Sequence, residues 1–230
     1  MVSRADAERL GLAQNGIRVL VERDLTSFFG SLNLEQPKRA RDLLLEFVPL
    51  LVRQYGEAAA AIAADWYDDV RAAEGVRGVF RAEPVTVDEA VAIERTVRRT
   101  AGALWSDTPE EALVGILSKA GKYTLSSSRT TVMRASFADP GAYGWRRVTQ
   151  GVTCRFCHML AGRGAVYREE TAHFAAHGHC DCAAVPSFDP SAPPVDVRLY
   201  EASKRTTHMS PAQKAEHNAL IRRAIEQYTD

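Results

Sequence analysis

Apolar residues recur at helical spacing through about the first 135 residues, and this pattern predicts a mainly α-helical N-terminal region. Residues 4–29 form the first predicted helix, and the turn-forming residues 30–33 end it. Residues 34–74 form a long second stretch, in which Pro49 predicts a kink or a split into two helices. Gly75 is a plausible stop for that stretch. The apolar side predicted for it consists of Leu43, Phe47, Leu50 and Leu51.

Two further helices are predicted before residue 139. Thr86 followed by Glu89 has the spacing of a capping box, and it predicts a helix from Thr86 to about Leu104. Residues 107–111 place a capping aspartate, a proline and two acidic residues together, which is typical of a helix start. That helix is predicted to run towards Met133, although the glycine and serines within it leave its continuity open.

The helical periodicity of the sequence ends at residues 139–141. Short β-like pieces follow at 144–149 and 165–167, together with many glycines and all the cysteines. Ser210 and Pro211 then predict the start of a last helix that ends near residue 228. We therefore predict a mainly α fold with a helical domain (1–138), a small α+β metal-binding module resembling a zinc knuckle (139–190), and a linker with a C-terminal helix (191–230).

Composition narrows the possible classes of protein. The 230 residues are 46% hydrophobic and 25% charged, which is ordinary for a globular domain. The formal net charge is zero, so a broad basic surface for nucleic acid is not indicated. We find no signal peptide and no apolar run long enough to span a bilayer, and we expect a cytoplasmic protein without a membrane partner.

The cysteines carry the clearest chemical signal. All 4 lie between Cys154 and Cys182, as Cys154-x-x-Cys157 and Cys180-x-Cys182, and His177 precedes Cys180 with the same x-x spacing. A Cys-x-x-Cys turn directs two thiolates at one ion, and a second pair completes a tetrahedron. In the cytoplasm such clusters are more often metal ligands than disulfides. The sequence thus predicts a closed structural zinc site.

The ligand set is not fixed by spacing alone. Either His177 or Cys182 completes the set of Cys154, Cys157 and Cys180. The alternative is that the thiols are buried cysteines or disulfides, for which three pairings exist. His158, next to Cys157, is predicted to face solvent or to lie outside the metal ligands.

Catalytic motifs are largely missing from the sequence. There is no His-Glu-x-x-His helix, no Gly-x-Ser-x-Gly elbow, no zinc-deaminase order and no phosphate-binding loop, so no catalytic residue is predicted. An HNH-type nuclease combines zinc knuckles with a catalytic histidine, for which His177 or His179 is a candidate. Arginines near the cysteines are candidates for phosphate contacts, although solvated surface arginines are the simpler interpretation. These arginines are Arg146, Arg147, Arg155, Arg163 and Arg168.

The cysteine window resembles the C-terminal module of MuF-like phage head morphogenesis proteins, in the form found in actinobacteriophages. The resemblance lies in an upstream tryptophan, the Cys-x-x-Cys, a glycine-containing turn, a His-x-x-Cys-x-Cys and a nearby proline. Asp181 stands where many relatives have arginine, which is a departure from the pattern. The matching positions are Trp145, 153–167, 177–182 and Pro186, with weaker similarity at 54–56, 66–68 and Arg71.

The resemblance implies a minor capsid protein in the head interior or at the portal vertex, assembled in the host cytoplasm. The implied partners are the portal protein, the major capsid protein, or both, and possibly packaged DNA. Two alternatives from other classes remain. One is an enzyme, either a capsid maturation protease or a zinc-dependent HNH-like nuclease, and the other is a DNA-binding ejection protein.

Overall fold

The predicted mainly helical class is confirmed in the computed structural model. Within the described residues there are six α-helices, a short 3-10 helix and two strands. The helices are α1 (Arg4–Gly30), α2 (Pro37–Ala73), α3 (Ala90–Thr100), the 3-10 helix (Ala101–Trp105), α4 (Glu111–Ala138), α5 (Arg155–Gly162) and α6 (Pro211–Gln227), and the strands are β1 (Trp145–Val148) and β2 (Ala183–Pro186). The structure describes residues 2–150, 155–162, 167, 174, 176, 182–193 and 209–227.

Local chemistry accounts for several of the helix ends. The Ser3 hydroxyl accepts the backbone N–H of Asp6, and the Asp6 carboxylate accepts the Ser3 N–H, so α1 begins with a reciprocal cap. Gly75 adopts a φ of 65° directly after α2, as predicted for a stop signal. Ser210 likewise caps α6, because its hydroxyl accepts the Gln213 N–H at 3.3 Å.

Helix α2 differs from the prediction in two respects. It continues through Pro49 as one element, so the predicted split is wrong. Its buried face contains Leu44, Val48 and Leu51, whereas Leu50 is 66% exposed. Nearly every position between 43 and 52 is apolar, so periodicity did not identify the face that packs.

Helix α3 begins later than the capping pattern predicted. Residues 79–89 run without helical structure, and the backbone N–H groups of Val85 and Val87 donate to Thr131 Oγ1 (2.9 Å) and Ser127 Oγ (3.0 Å) of α4. These bonds tie the backbone on both sides of Thr86 to α4 in a non-helical segment, so the predicted start at Thr86 is wrong and the helix starts at Ala90. Helix α4 itself is continuous through Gly121 and the serines at 126–128.

The two strands form an antiparallel pair in which Trp145 lies opposite Pro186 and Val148 opposite Ala183. Strand β1 was predicted, but β2 was not, because its four residues are all buried and do not alternate. From the other predicted β piece, Tyr167 forms a single bridge to Trp145, and positions 165 and 166 lie outside the described residues.

Two apolar cores hold the described chain together. The first lies among the helices and draws on α1, α2, α3, the 3-10 helix and α4. The second joins the other end of the helices to the sheet, and its buried members include Leu10 from α1, Tyr67 from α2, Val132 from α4, Trp145 from β1 and Val185 from β2. The sheet that precedes and follows the cysteine window is therefore fixed to the helices by a shared core.

Candidate metal centre

Two of the five predicted ligands lie in the described part of the chain, and the fold brings them together. Cys157 on α5 and Cys182, directly before β2, are both buried, and they belong to one cluster against which Phe174 and Ala176 pack. No disulfide joins these two cysteines. We call Cys157, Cys182, Phe174 and Ala176 the cysteine cluster. The end of the Cys-x-x-Cys motif and the end of the Cys-x-Cys motif thus converge, as a shared metal site requires.

Helix α4 and strand β2 fix the position of Cys182. Arg129 of α4 is buried, and its Nε donates to the Cys182 carbonyl oxygen at 3.1 Å. The next residue, Ala183, begins β2, which is hydrogen-bonded to β1 along its whole length. The Cys182 backbone is therefore held by the hydrogen bond from α4 and by the strand that begins at the next residue.

Arginine and aromatic side chains pack around Phe174 of the cysteine cluster. The guanidinium groups of Arg147 and Arg129 lie 3.7 Å and 4.9 Å from the centre of the Phe174 ring. Trp145 lies 5.6 Å from the same ring and stacks on Tyr167 at 4.3 Å between ring centres. Cations over an aromatic face are stabilising when desolvated.

The remaining predicted ligands, Cys154, His177 and Cys180, lie outside the described residues. Within the described ranges, no group of three or more His, Cys, Asp or Glu side chains is placed to hold a metal ion. The zinc site therefore stays a prediction. His158 is exposed on α5, as expected for a residue outside the ligand set.

Two of the five arginines proposed for phosphate contacts are turned into the protein. Arg147 is buried against Phe174, and Arg146 Nη2 donates to the Val2 carbonyl oxygen at 2.7 Å. Burial lowers the pKa of the Arg146 guanidinium, and the nearby Glu74 carboxylate acts in the opposite direction. Arg147 is 4% exposed, so neither a phosphate contact nor the simpler interpretation of a solvated surface arginine fits it, and the Arg146 guanidinium is half-buried with one N–H group bound to the Val2 carbonyl oxygen. The side chains of the other three lie outside the described residues.

A buried ion pair that the sequence did not predict lies where α4 ends. Arg71 Nε donates to Asp139 Oδ2 at 2.7 Å, and the two side chains are 9% and 0% exposed. Tyr67 Oη lies 3.2 Å from the same carboxylate oxygen. Burial, and then the negative charge of Asp139, raise the pKa of the Tyr67 hydroxyl well above its usual range. The sequence around Asp139 resembled a simple boundary turn, and no local pattern indicated a partner on α2.

With this geometry established, comparison with known families decides the class of protein. A family model described as VG15 protein matches residues 1–206. The chain belongs to the VG15 family. This is a family of phage virion-gene proteins, so the chain is a virion-associated phage protein. No curated protein and no solved structure gives a significant match.

The family match includes both the helices and the predicted metal site. It spans α1 to β2 and the whole cysteine window, so helices and cysteines belong to one family unit. The expected phage origin is confirmed at this level. Among the described helices, none is long and apolar enough to cross a membrane.

A groove of about 1,060 Å³ lies beside the cysteine cluster, between residues 85–89, the outer side of α4 and Phe174. Its described lining contains acidic and basic side chains, including Asp88, Glu89 and Arg134, but no histidine or cysteine.

Proposed function

We propose that this VG15 protein is a structural minor capsid component of the MuF-like type, located in the head interior or at the portal vertex. In this proposal, the long helices bind portal or major capsid protein. A zinc ion closes the C-terminal module and keeps it against the helices. The observation that supports the virion role is the family match over residues 1–206, and the one that supports the zinc site is the burial of Cys157 beside Cys182 in a cluster anchored to α4.

The same observation favours one ligand set. Cys182 is buried in contact with the cluster that contains Cys157, so we propose Cys154, Cys157, Cys180 and Cys182 as the ligands in preference to a set with His177. Bound zinc would supply a four-coordinate cross-link between segments that are distant in sequence. A sulfur-only set has no open position for a substrate, which fits a structural role.

The metal proposal is tested by elemental analysis of the purified full chain. We expect one zinc ion per chain, lost in Cys182→Ser and retained in His177→Ala. Retention in Cys182→Ser with loss in His177→Ala would contradict the all-cysteine set. A folded wild-type chain without zinc, whose thiols all react freely, would contradict the site altogether.

The location is tested in purified phage particles. Quantitative mass spectrometry of proheads and mature virions should find the chain at low copy number in both, and it should remain with the heads after DNA release. Departure with the DNA would favour the ejection-protein alternative. Absence from both particles, with presence in the infected-cell lysate, would contradict a structural role.

A further inference from the structure

The outer face of α1 carries apolar side chains that the described fold leaves uncovered. Leu12 is 73% exposed and Val19 is 52% exposed, whereas Leu10, Ile17 and Val21 of the same helix are buried. Positions 12, 16 and 19 are spaced by four and three residues, so they lie on one side of the helix. A Cβ built at Gly16 meets no atom within 4 Å, so a shallow open notch lies between the two apolar side chains.

This face is complementary to itself when a second α1 lies antiparallel across it. With the two helices crossing between Asn15 and Gly16, Leu12 of each copy lies opposite Val19 of the other. Asn15, whose Oδ1 accepts a hydrogen bond from Arg18 Nη2 at 2.6 Å within its own helix, then lies opposite Gly16 of the other copy. A two-fold symmetric interface requires this reciprocity: when one residue of the first copy contacts a second residue of the other copy, the same two residues also meet with the copies exchanged.

The charges that flank the apolar centre follow the same symmetry. In the same register Glu8 lies opposite Arg23, and Arg9 lies opposite Glu22. Each copy therefore contributes opposite charges at both ends, and the antiparallel arrangement makes four pairs of opposite sign. A parallel arrangement would place like charges together, which disfavours it.

The present ion pairs of these side chains do not oppose the arrangement. Glu8 contacts Arg4 at 2.9 Å, Arg9 contacts Asp6 at 2.8 Å and Arg23 contacts Asp24 at 2.7 Å. The side chains of Glu8, Arg9 and Arg23 are 56%, 56% and 65% exposed, and those of Asp6 and Asp24 are 22% and 31% exposed. Exposed pairs of this kind contribute little to stability, so they exchange partners at small cost.

We infer that the outer face of α1 binds a second copy of this chain as an antiparallel, two-fold symmetric helix pair. One helix pair is small for a permanent interface, so the dimer forms reversibly with concentration. The inference goes beyond the proposed function and does not rest on it, because a monomeric chain would still be compatible with a virion role.

The test is sedimentation velocity of the full chain over a wide range of concentration, with circular dichroism to verify folding. The wild type should pass from monomer to dimer. Leu12→Glu should remain monomeric at every concentration, whereas Leu50→Glu, at a similarly exposed position on α2, should dimerise like the wild type. A wild type that stays monomeric, or a dimer that survives Leu12→Glu or is lost in Leu50→Glu, would overturn the inference.

A charge exchange tests the register. Glu8→Arg and Arg23→Glu should each weaken the dimer about tenfold, because each creates two like-charge pairs. The double variant restores opposite charges at both positions, and its dissociation constant should return to within about threefold of the wild type. Additive weakening in the double variant would exclude this antiparallel pairing.

Discussion

At the scale of single residues, the buried Arg71 guanidinium donates hydrogen bonds from all three of its nitrogen atoms. Besides its pair with Asp139, it donates to the carbonyl oxygens of Val76, Arg77 and Gly78 at 3.0–3.3 Å. Asp139 Oδ1 also accepts the Gly141 N–H at 2.9 Å. The pair thus connects α2, the loop that follows it and the end of α4. A buried ion pair is tolerated when hydrogen bonds compensate both partners in this way.

Removing one partner should therefore be costly. We expect Asp139→Ala to lower the free energy of unfolding by about 3–5 kcal/mol, because the Arg71 charge would remain buried without its carboxylate. Urea denaturation of the full chain measures this. Glu57→Ala is the matched control, because it removes an exposed pair with Arg53 and should change stability by less than about 0.5 kcal/mol. Equal effects of the two substitutions would contradict the role assigned to Asp139.

Sequence reasoning missed this ion pair for a physical reason. Asp139 precedes Pro140 and Gly141, and those residues together predict a turn whether or not the carboxylate is buried. Its partner on α2 lies 68 positions away, and only the packing of α2 against α4 brings the two together. The cysteines, by contrast, give a local signal that predicts a metal site, because metal ligation favours short and regular spacings of ligand residues.

At the scale of helices and strands, α2 and α4 approach closely at Gly56. A Cβ built there would lie 3.1 Å from Ser127 Oγ and 3.8 Å from the Thr124 carbonyl oxygen. Ser127 Oγ also accepts the Val87 N–H at 3.0 Å, so it does not move aside without losing that bond. One glycine therefore permits a helix contact and, through Ser127, fixes the segment that leads into α3.

Gly56→Ala should destabilise the chain although alanine is the better helix former. Overpacking costs about 1–3 kcal/mol, and the gain in helix propensity is about 1 kcal/mol, so we expect a net loss of about 1 kcal/mol. Gly16→Ala is the control, because nothing lies within 4 Å of its Cβ position, and it should stabilise the dilute monomer by up to about 1 kcal/mol. If thermal and urea denaturation find the same gain for both, the close contact is contradicted.

The boundaries of elements were predictable wherever local chemistry decides them. Ser210 with Pro211, and Gly75, marked helix ends correctly because the capping and φ requirements act within a few residues. Thr86 failed as a start signal because hydroxyl groups on α4 accept the N–H groups of Val85 and Val87 on either side of it and hold this segment in a non-helical conformation. Strand β2 was missed because a buried strand of four residues leaves neither alternation nor length to recognise.

At the scale of the whole molecule, the two apolar cores differ in their dependence on the cysteine window. The core among the helices contains only residues from 17 to 123, whereas the other includes β1, β2 and Tyr167. Phe174, a member of the cysteine cluster, also packs against that second core. A ligand bound by the cysteine cluster therefore stabilises the core that contains β1 and β2 directly, and it stabilises the core among the helices only through the helices that the two cores share.

This asymmetry predicts the outcome of zinc removal. If the proposed site holds zinc, a chelator should increase amide hydrogen exchange at β1 and β2, while α3 and the second half of α1 stay protected. Cys157→Ser should reproduce that pattern without chelator, and adding chelator to it should have no further effect. Hydrogen exchange followed by mass spectrometry resolves these segments. A uniform rise in exchange would mean that both cores depend on the metal, and no change at β1 or β2 would mean that the second core stands without it.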